Sequence, residues 1–158
     1  MALGYRNEGI SILGREVMQD RGLTGLGIDT LDYSGEEIRQ VFEVLADSRQ
    51  YPVMVHCTQG KDRTGLIILL VLLLAGSRMD AISKDYIKSE AELLPEKEER
   101  MKEISSIGLR EDFAGCPDEF VEKTTKHIEM KYSGVEKYLS SIGVTPNQQQ
   151  ELRSILVQ

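Results

Sequence analysis

A cysteine and an arginine six residues apart are the residues of this chain best suited to chemistry. Cys57 and Arg63 lie in the string HCTQGKDRTG, with Gly60 between them. A short apolar run, residues 52–55, precedes the string, and a longer one, residues 66–75, follows it. The pattern predicts a glycine-containing turn between a buried strand and a buried helix.

Such a turn can bind a phosphoryl group. The backbone N–H groups of residues 58–63 can converge on one point, and the positive end of the following helix dipole faces the same point. This field also lowers the pKa of a thiol from about 8.5 toward about 3.5–7.5, which favours Cys57 as a thiolate. Arg63 adds a planar guanidinium that binds two phosphoryl oxygens at once. The expected substrate-binding residues of the turn are Thr58, Gln59, Gly60 and Lys61, and the expected supporting residues are His56 and Thr64.

These residues predict hydrolysis of a phosphate monoester through a phosphocysteine on Cys57, without a metal or a cofactor. The reaction also needs a general acid to protonate the leaving oxygen. Three aspartates compete for that role: Asp62 inside the turn, and Asp29 and Asp32 upstream of it. A capping-box pattern at residues 34–37 follows Asp32 and predicts the start of a helix there. Asp32 is therefore interpreted as a turn residue, and Asp62 is the preferred acid.

The turn resembles the signature of a known enzyme family. His56, Cys57, Gly60, Arg63 and Thr64 match the cysteine-based protein tyrosine phosphatases. The Lys61–Asp62 pair makes the chain similar to the atypical tyrosine/serine phosphatases of fungi and bacteria, some of which also take phosphoinositides. Asp85–Tyr86 and Ser89 agree with that subgroup, and the likeness extends from about Tyr5 to the C terminus.

The resemblance implies a protein-tyrosine or dual-specificity phosphatase. In that family the aspartate at the position of Asp62 is implicated as the acid, and a lysine at the position of Lys61 accompanies lipid-phosphate substrates. Phosphotyrosine protein is therefore the first expected substrate and partner, and phosphoinositide is the second. The alternative to an enzyme is a phosphate-binding module, which would bind phosphorylated partners without hydrolysing them.

Other kinds of site fit the sequence less well. A nucleotide-binding phosphate loop would need glycine at the position of Val55 and a hydroxyl residue at the position of Asp62. The glycines at 22, 25 and 27 have the wrong spacing for a dinucleotide fingerprint, and they predict a loop. Cys116 and His127 form no metal-ligand pattern with the turn, so we expect an inert thiol, a surface histidine and no metal.

Length and charge limit the partners further. The chain has 158 residues, which predicts a single domain over residues 1–158. A net charge of -7 argues against nucleic acid as a partner. Two cysteines without a disulfide framework predict a cytoplasmic protein. No signal peptide is evident in the first nine residues, and the apolar run at 66–75 is too short to span a membrane.

The predicted fold is α/β, of the tyrosine phosphatase type, mostly helical and with few strands. Helices are predicted at residues 8–19, 35–48, 64–75, 79–92, 96–106, 118–131, 135–141 and 147–157. Residues 52–56 form the one expected strand, at the start of a strand, phosphate loop and helix core. A lone strand has no pairing partner, which predicts an N-terminally truncated domain, a homo-oligomer in which another chain supplies strands, or a strand covered by the first helix and loop.

Overall fold

Helices make up most of the molecule. The structure is a computed structural model that describes the backbone of residues 2–157 and the side chains of residues 8–157. The α-helices of that range are α1 (Ala2–Leu13), α2 (Gln19–Tyr33), α3 (Gly35–Leu45), α4 (Arg63–Leu74), α5 (Met79–Glu92), α6 (Lys97–Ser106), α7 (Phe120–Tyr132), α8 (Val135–Ser141) and α9 (Pro146–Leu156). A π-helical turn, Gly14–Met18, joins α1 to α2, and short 3-10 turns occupy Ser48–Gln50, Leu94–Glu96 and Glu111–Ala114.

The predicted strand is not formed. Residues 52–56 are irregular, and no β-strand occurs anywhere in residues 2–157. A strand needs a neighbour that pairs with its backbone N–H and C=O groups, and the described part of the chain provides none. The mostly helical character of the prediction is confirmed, whereas the strand of its core is not.

Helix α2 corrects the prediction of a loop around the glycines at 22, 25 and 27. The helix breaks only at Gly22, which has φ +62° and ψ 173°. Gly27 lies inside the helix because it allows close packing: a Cβ atom there would lie 2.7 Å from the ring of Phe120 on α7. Gly22 therefore allows a sharp bend in α2, and Gly27 allows a close contact between α2 and α7.

The capping-box prediction at residues 34–37 is also wrong. The side chain of Ser34 accepts no hydrogen bond from the first turn of α3. A capping box occurs instead at the start of α9, where Gln148 N donates to Thr145 Oγ1 at 3.3 Å and Thr145 N donates to Gln148 Oε1 at 2.9 Å. Both patterns place a hydroxyl residue three positions before Glu or Gln, so the pattern alone does not decide which helix is capped.

Helix α4 is the centre of the larger core. Its sequence is apolar on all sides from Leu66 onward, and such a helix is stable only when it is surrounded. It packs against α5 and α8, while α7 packs against α2, α5 and α8. The most deeply buried side chains of this core include Phe42, Leu70, Phe120, Ile128, Tyr138 and Leu139. The phosphate-loop candidate is thereby attached to the central helix of the larger core.

A smaller apolar cluster lies beside the larger core. Its buried members are Ile104, Leu109 and Phe113, and Met18, Leu23 and Leu26 pack against them. These side chains come from α6, the segment after it, the 3-10 turn Glu111–Ala114, the π-helical turn and α2. The gap between the two clusters forms the cavity of the candidate site.

No helix within residues 2–157 is both long enough and apolar enough to cross a membrane.

Candidate active site

The HCTQGKDRTG string forms a loop that leads directly into α4, whose first residue is Arg63. Gly60 has a φ of +72°, in the left-handed region that favours glycine. The loop directs the backbone N–H groups of Gln59, Gly60 and Thr64 to the sulfur of Cys57. Converging N–H groups at the start of a helix are suited to bind an anion.

The thiol of Cys57 is acidic for a cysteine. Its burial, the largest single effect, raises the pKa, but hydrogen bonds from the Thr64 hydroxyl and from the backbone of Thr64, Gln59 and Gly60 together outweigh burial. The pKa falls to about 7. Thr64 Oγ1 is buried, and no other described residue accepts a hydrogen bond from it. A substantial fraction of the thiol is therefore ionised at neutral pH.

Arg63 is placed to bind an anion beside Cys57. Its side chain is exposed, and Nη2 donates a hydrogen bond to Thr58 Oγ1 at 3.2 Å. Within the described residues it forms no ion pair with a carboxylate. Since a guanidinium has five N–H donors, most of them stay available for phosphoryl oxygens.

A cavity of about 480 Å³ opens over this loop. Its charged lining residues are Asp62, Arg63 and Glu103. The remaining wall is mainly apolar and includes Met18, Leu23, Leu26, Leu66, Ile104, Ile107, Leu109, Phe113 and Phe120. The cavity therefore combines one anion-binding end with a long apolar side.

The three candidate aspartates have different environments. Asp62 lines the cavity with Cys57, and its side chain is 36% exposed. Asp29 does not line the cavity and instead accepts a hydrogen bond from Arg21 Nε at 2.8 Å. Asp32 also lies elsewhere and is largely buried against α7. Only Asp62 among the three lies where it could protonate a leaving group.

Lys61 is not at the cavity surface. Its side chain is 0% exposed, and its ammonium donates to Asp62 Oδ1 at 2.7 Å and to the Phe113 carbonyl at 3.2 Å. The expected contact with substrate is therefore absent from this arrangement. Nothing in the local sequence predicts its burial, because the carbonyl that accepts its hydrogen bond lies 52 residues away.

The other predicted loop residues divide into two groups. Thr58 and Gln59 line the cavity. Gly60 acts through its backbone, and His56 is exposed with Nδ1 3.3 Å from the carbonyl oxygen of Cys57. Thr58 and Gln59 thus join Cys57, Asp62 and Arg63 as the loop residues that line the cavity.

The structure corrects one further expectation. His127 is not a surface histidine, because its side chain is 22% exposed and hydrogen-bonded to Asp32. The sequence leaves open whether Asp85 and Tyr86 form a buried hydrogen-bonded pair or a solvated helix face. In the structure Asp85 is exposed, whereas Tyr86 is buried and stacks on Phe120 with ring centroids 4.7 Å apart. Its ring also lies against Gly65 at the start of α4. Tyr86 therefore supports the loop by packing.

Cys116 is buried, with an exposed fraction of 5%, and this burial raises the pKa of its thiol. Both cysteines are free thiols. Among the described residues, no three His, Cys, Asp or Glu side chains are grouped so that they could hold a metal ion.

Sequence reasoning missed the cavity wall. Leu23 and Leu26 have helical spacing, but the glycines at 22, 25 and 27 led to the prediction of a loop. Glu103 ends the charge-rich segment 90–103, whose interleaved charges indicate an exposed helical face rather than one side of a cavity. The wall residues Ile107 and Phe113 follow that segment and carry no local signal of a cavity.

Comparison with known proteins agrees with the geometry of the loop. A model of the tyrosine phosphatase family matches residues 15–158. The chain therefore belongs to the tyrosine phosphatase family.

Individual relatives differ in what their names say they act on. A tyrosine-protein phosphatase of Nostoc commune is 30% identical over 164 residues, which cover 91% of this chain and 55% of that protein. The triple specificity protein phosphatase of Mycobacterium tuberculosis is 26% identical, over 76% of this chain and 48% of that protein. An inositol diphosphatase of Arabidopsis thaliana is 25% identical, over 68% of this chain and 46% of that protein. The chain spans about half the length of these curated relatives.

Proposed function

We propose that this chain hydrolyses phosphate monoesters by cysteine-dependent catalysis in two steps. The observation that carries the proposal is the Cys57 thiol, whose pKa is lowered to about 7 among converging N–H groups. Arg63 and Asp62 line the same cavity. Membership of the tyrosine phosphatase family supports the same reaction.

In the first step the Cys57 thiolate attacks phosphorus. An S–P bond forms while the ester P–O bond breaks, and Asp62 gives its proton to the leaving oxygen. Arg63 and the backbone N–H groups of Gln59 and Gly60 hold the equatorial oxygens, where negative charge must be stabilised. The products are an alcohol or phenol and a phosphocysteine.

In the second step water releases the phosphate. Asp62, now a carboxylate, takes a proton from water as the water oxygen bonds to phosphorus and the S–P bond breaks. The electron pair of that bond returns to Cys57 as a thiolate, which Thr64 can stabilise by a hydrogen bond. The cycle ends with inorganic phosphate and a protonated Asp62, and it uses neither a metal nor a cofactor.

Phosphotyrosine in proteins is the substrate class that the cavity favours. An aryl ring fits the apolar wall beside the loop, where it would lose contact with water. A phosphoinositide headgroup would require several cations, but Arg63 is the one cation among the described lining residues and Glu103 adds a negative charge. Phosphoinositide stays the alternative substrate, because some relatives are named inositol diphosphatases.

The proposal extends to the fold at residues 52–56. Val53 and Val55 pack on the larger core, while the intervening Met54 is 85% exposed. This alternation is typical of a strand with one covered face. We infer that the segment, irregular in the isolated chain, becomes a strand of an α/β phosphatase core when it pairs with a strand from another copy or another chain. Sedimentation velocity tests for the homo-oligomer.

A direct assay tests the reaction. The wild type should release phosphate from a small aryl phosphate, and Cys57→Ser should abolish this activity. Asp62→Asn should lower kcat/KM for a poor leaving group by about 100-fold, the lower end of what general acids contribute. Activity that survives Cys57→Ser would contradict the mechanism. A well-folded wild type that binds aryl phosphate without hydrolysing it would favour the phosphate-binding module.

A further inference from the structure

Lys61 is the residue of the loop that the proposed reaction leaves unused. Its side chain is 0% exposed, although the next residue, Asp62, reaches the cavity and the preceding one, Gly60, is exposed. Lysine is rarely buried in full unless its charge is paired and hydrogen-bonded. The position of its ammonium group is therefore set by specific acceptors.

Those acceptors lie in two parts of the site. Lys61 Nζ donates to Asp62 Oδ1 at 2.7 Å and to the carbonyl oxygen of Phe113 at 3.2 Å. Phe113 belongs to the 3-10 turn Glu111–Ala114, and its buried ring lines the cavity. One ammonium group thus contacts the proposed acid and the backbone of a second residue of the cavity wall.

The surroundings of the ammonium argue against a contact with substrate. Cys116 and Tyr86 lie near Lys61 or Asp62, since the charge of Lys61 acts on the Cys116 thiol and the charge of Asp62 acts on both residues. Both residues are buried, and neither lines the cavity. The ammonium therefore lies on the protein side of the loop, where it contacts the carboxyl of Asp62, a residue that lines the cavity.

We infer that Lys61 is a positioning residue, which orients the Asp62 carboxyl toward the leaving oxygen and fixes the loop to the turn at 111–114. This inference rests on the proposed function, because it takes Asp62 as the general acid. A carboxyl group that rotates freely spends little time at the leaving oxygen, and small errors of position cost a large part of a catalytic effect. The two-point attachment of Lys61 removes that freedom.

The test compares two aryl esters that differ in their need for an acid. Phenyl phosphate has a poor leaving group, because phenolate is a strong base. In 2,4-dinitrophenyl phosphate the dinitrophenolate departs readily without protonation. In Lys61→Met, kcat/KM for phenyl phosphate should fall about tenfold or more, which is part of the full effect of a general acid. For the dinitrophenyl ester we expect a loss below about threefold, because protonation contributes little to its departure.

A loss by the same factor for both esters would overturn the inference, because that result is expected if Lys61 binds the phosphoryl group common to both. In an Asp62→Asn background, Lys61→Met should cause no further selective loss, since the two residues act as one unit. Lys84→Met, an exposed lysine on α5, is the matched control and should leave both rates unchanged.

Two additional measurements keep the test decisive. Lys61→Gln retains an N–H donor and should lose less than Lys61→Met, so it replaces that variant if the apolar side chain prevents folding. Thermal unfolding of each variant checks that the rates refer to folded protein. A wild type that hydrolyses neither ester would contradict the proposed function itself, a result that differs from an active wild type with equal losses on both esters.

Discussion

His127 Nε2 donates a hydrogen bond to Asp32 Oδ1 at 2.8 Å, which joins α7 to α2 across 95 residues of sequence. Lys131 Nζ and the hydroxyl of Tyr132 donate to the same carboxylate, also at 2.8 Å. Burial alone would raise the pKa of Asp32, but these three donors lower it to about 2. A carboxylate this firmly ionised holds two helices together and is poorly suited to give up a proton.

Asp32→Asn should therefore destabilise the fold without changing the chemistry. We expect a loss of about 1–3 kcal/mol in the free energy of unfolding, because His127, Lys131 and Tyr132 lose a charged acceptor. Urea unfolding at neutral pH measures it. Asp29→Asn is the matched control, since it breaks a surface pair with Arg21 and should cost less than about 1 kcal/mol. A fall in kcat for Asp32→Asn like that of Asp62→Asn would instead identify Asp32 as the acid.

The same carboxylate predicts an acid-sensitive part of the stability. The pKa of Asp32 is about 2 in the folded protein, below its ordinary value of 3.8. Its ionised form therefore stabilises the fold above about pH 4, by about 2 kcal/mol, and this contribution is lost as the pH falls toward 2. The difference in unfolding free energy between wild type and Asp32→Asn should shrink from pH 6 to pH 3. A difference that stays constant over this range would contradict the assignment.

The sequence allowed the loop to be predicted because its chemistry is local. Cys57, Gly60 and Arg63 lie within seven consecutive residues, and a nest at a helix start depends on little else. The long apolar run fixed α4 in the same way, to within one residue at each end. Such features need no knowledge of distant contacts.

The rest of the site depends on contacts between distant segments. Asp32 resembled a turn residue until the donors of α7 were placed beside it. Lys61 could be assigned to the protein side of the loop only once the carbonyl of Phe113 was located. Gly27 suggested a loop, because sequence alone does not distinguish a glycine that allows close packing from one that breaks a helix. The position of the neighbouring Phe120 ring makes that distinction.

Gly27→Ala should destabilise the protein, contrary to the helix propensity of alanine. The added methyl would lie 2.7 Å from the ring of Phe120, which is 1% exposed and stacked on Tyr86. Overpacking of this kind costs about 1–3 kcal/mol and should lower the melting temperature. Gly9→Ala is the matched control, because a Cβ atom at that position of α1 has nothing within 4 Å. There we expect no loss, and a gain of up to about 1 kcal/mol.

Glu103→Lys should improve turnover of strongly anionic substrates. Glu103 is the acidic residue of the cavity wall on α6, and reversing its charge replaces repulsion by attraction. For a phosphotyrosine peptide with acidic flanking residues, kcat/KM should rise several-fold, on the order of 1 kcal/mol, at low ionic strength, and the gain should shrink as salt is added. Glu98→Lys changes the same charge on the same helix outside the cavity and should give a smaller gain. Equal gains would show that only net charge matters.

The alkylation rate of Cys57 should follow its ionisation. Because only the thiolate reacts, the rate with iodoacetamide should rise with pH through a midpoint near 7, where the pKa of Cys57 lies. Thr64→Val removes the hydroxyl that helps to lower this pKa, so its midpoint should move upward toward the ordinary thiol value. Cys116→Ser should leave the profile unchanged, since Cys116 is 5% exposed, and Cys57→Ser should abolish the reaction. A wild-type midpoint near 9 would mean that the loop does not stabilise the thiolate, and the proposed nucleophile would lose its physical basis.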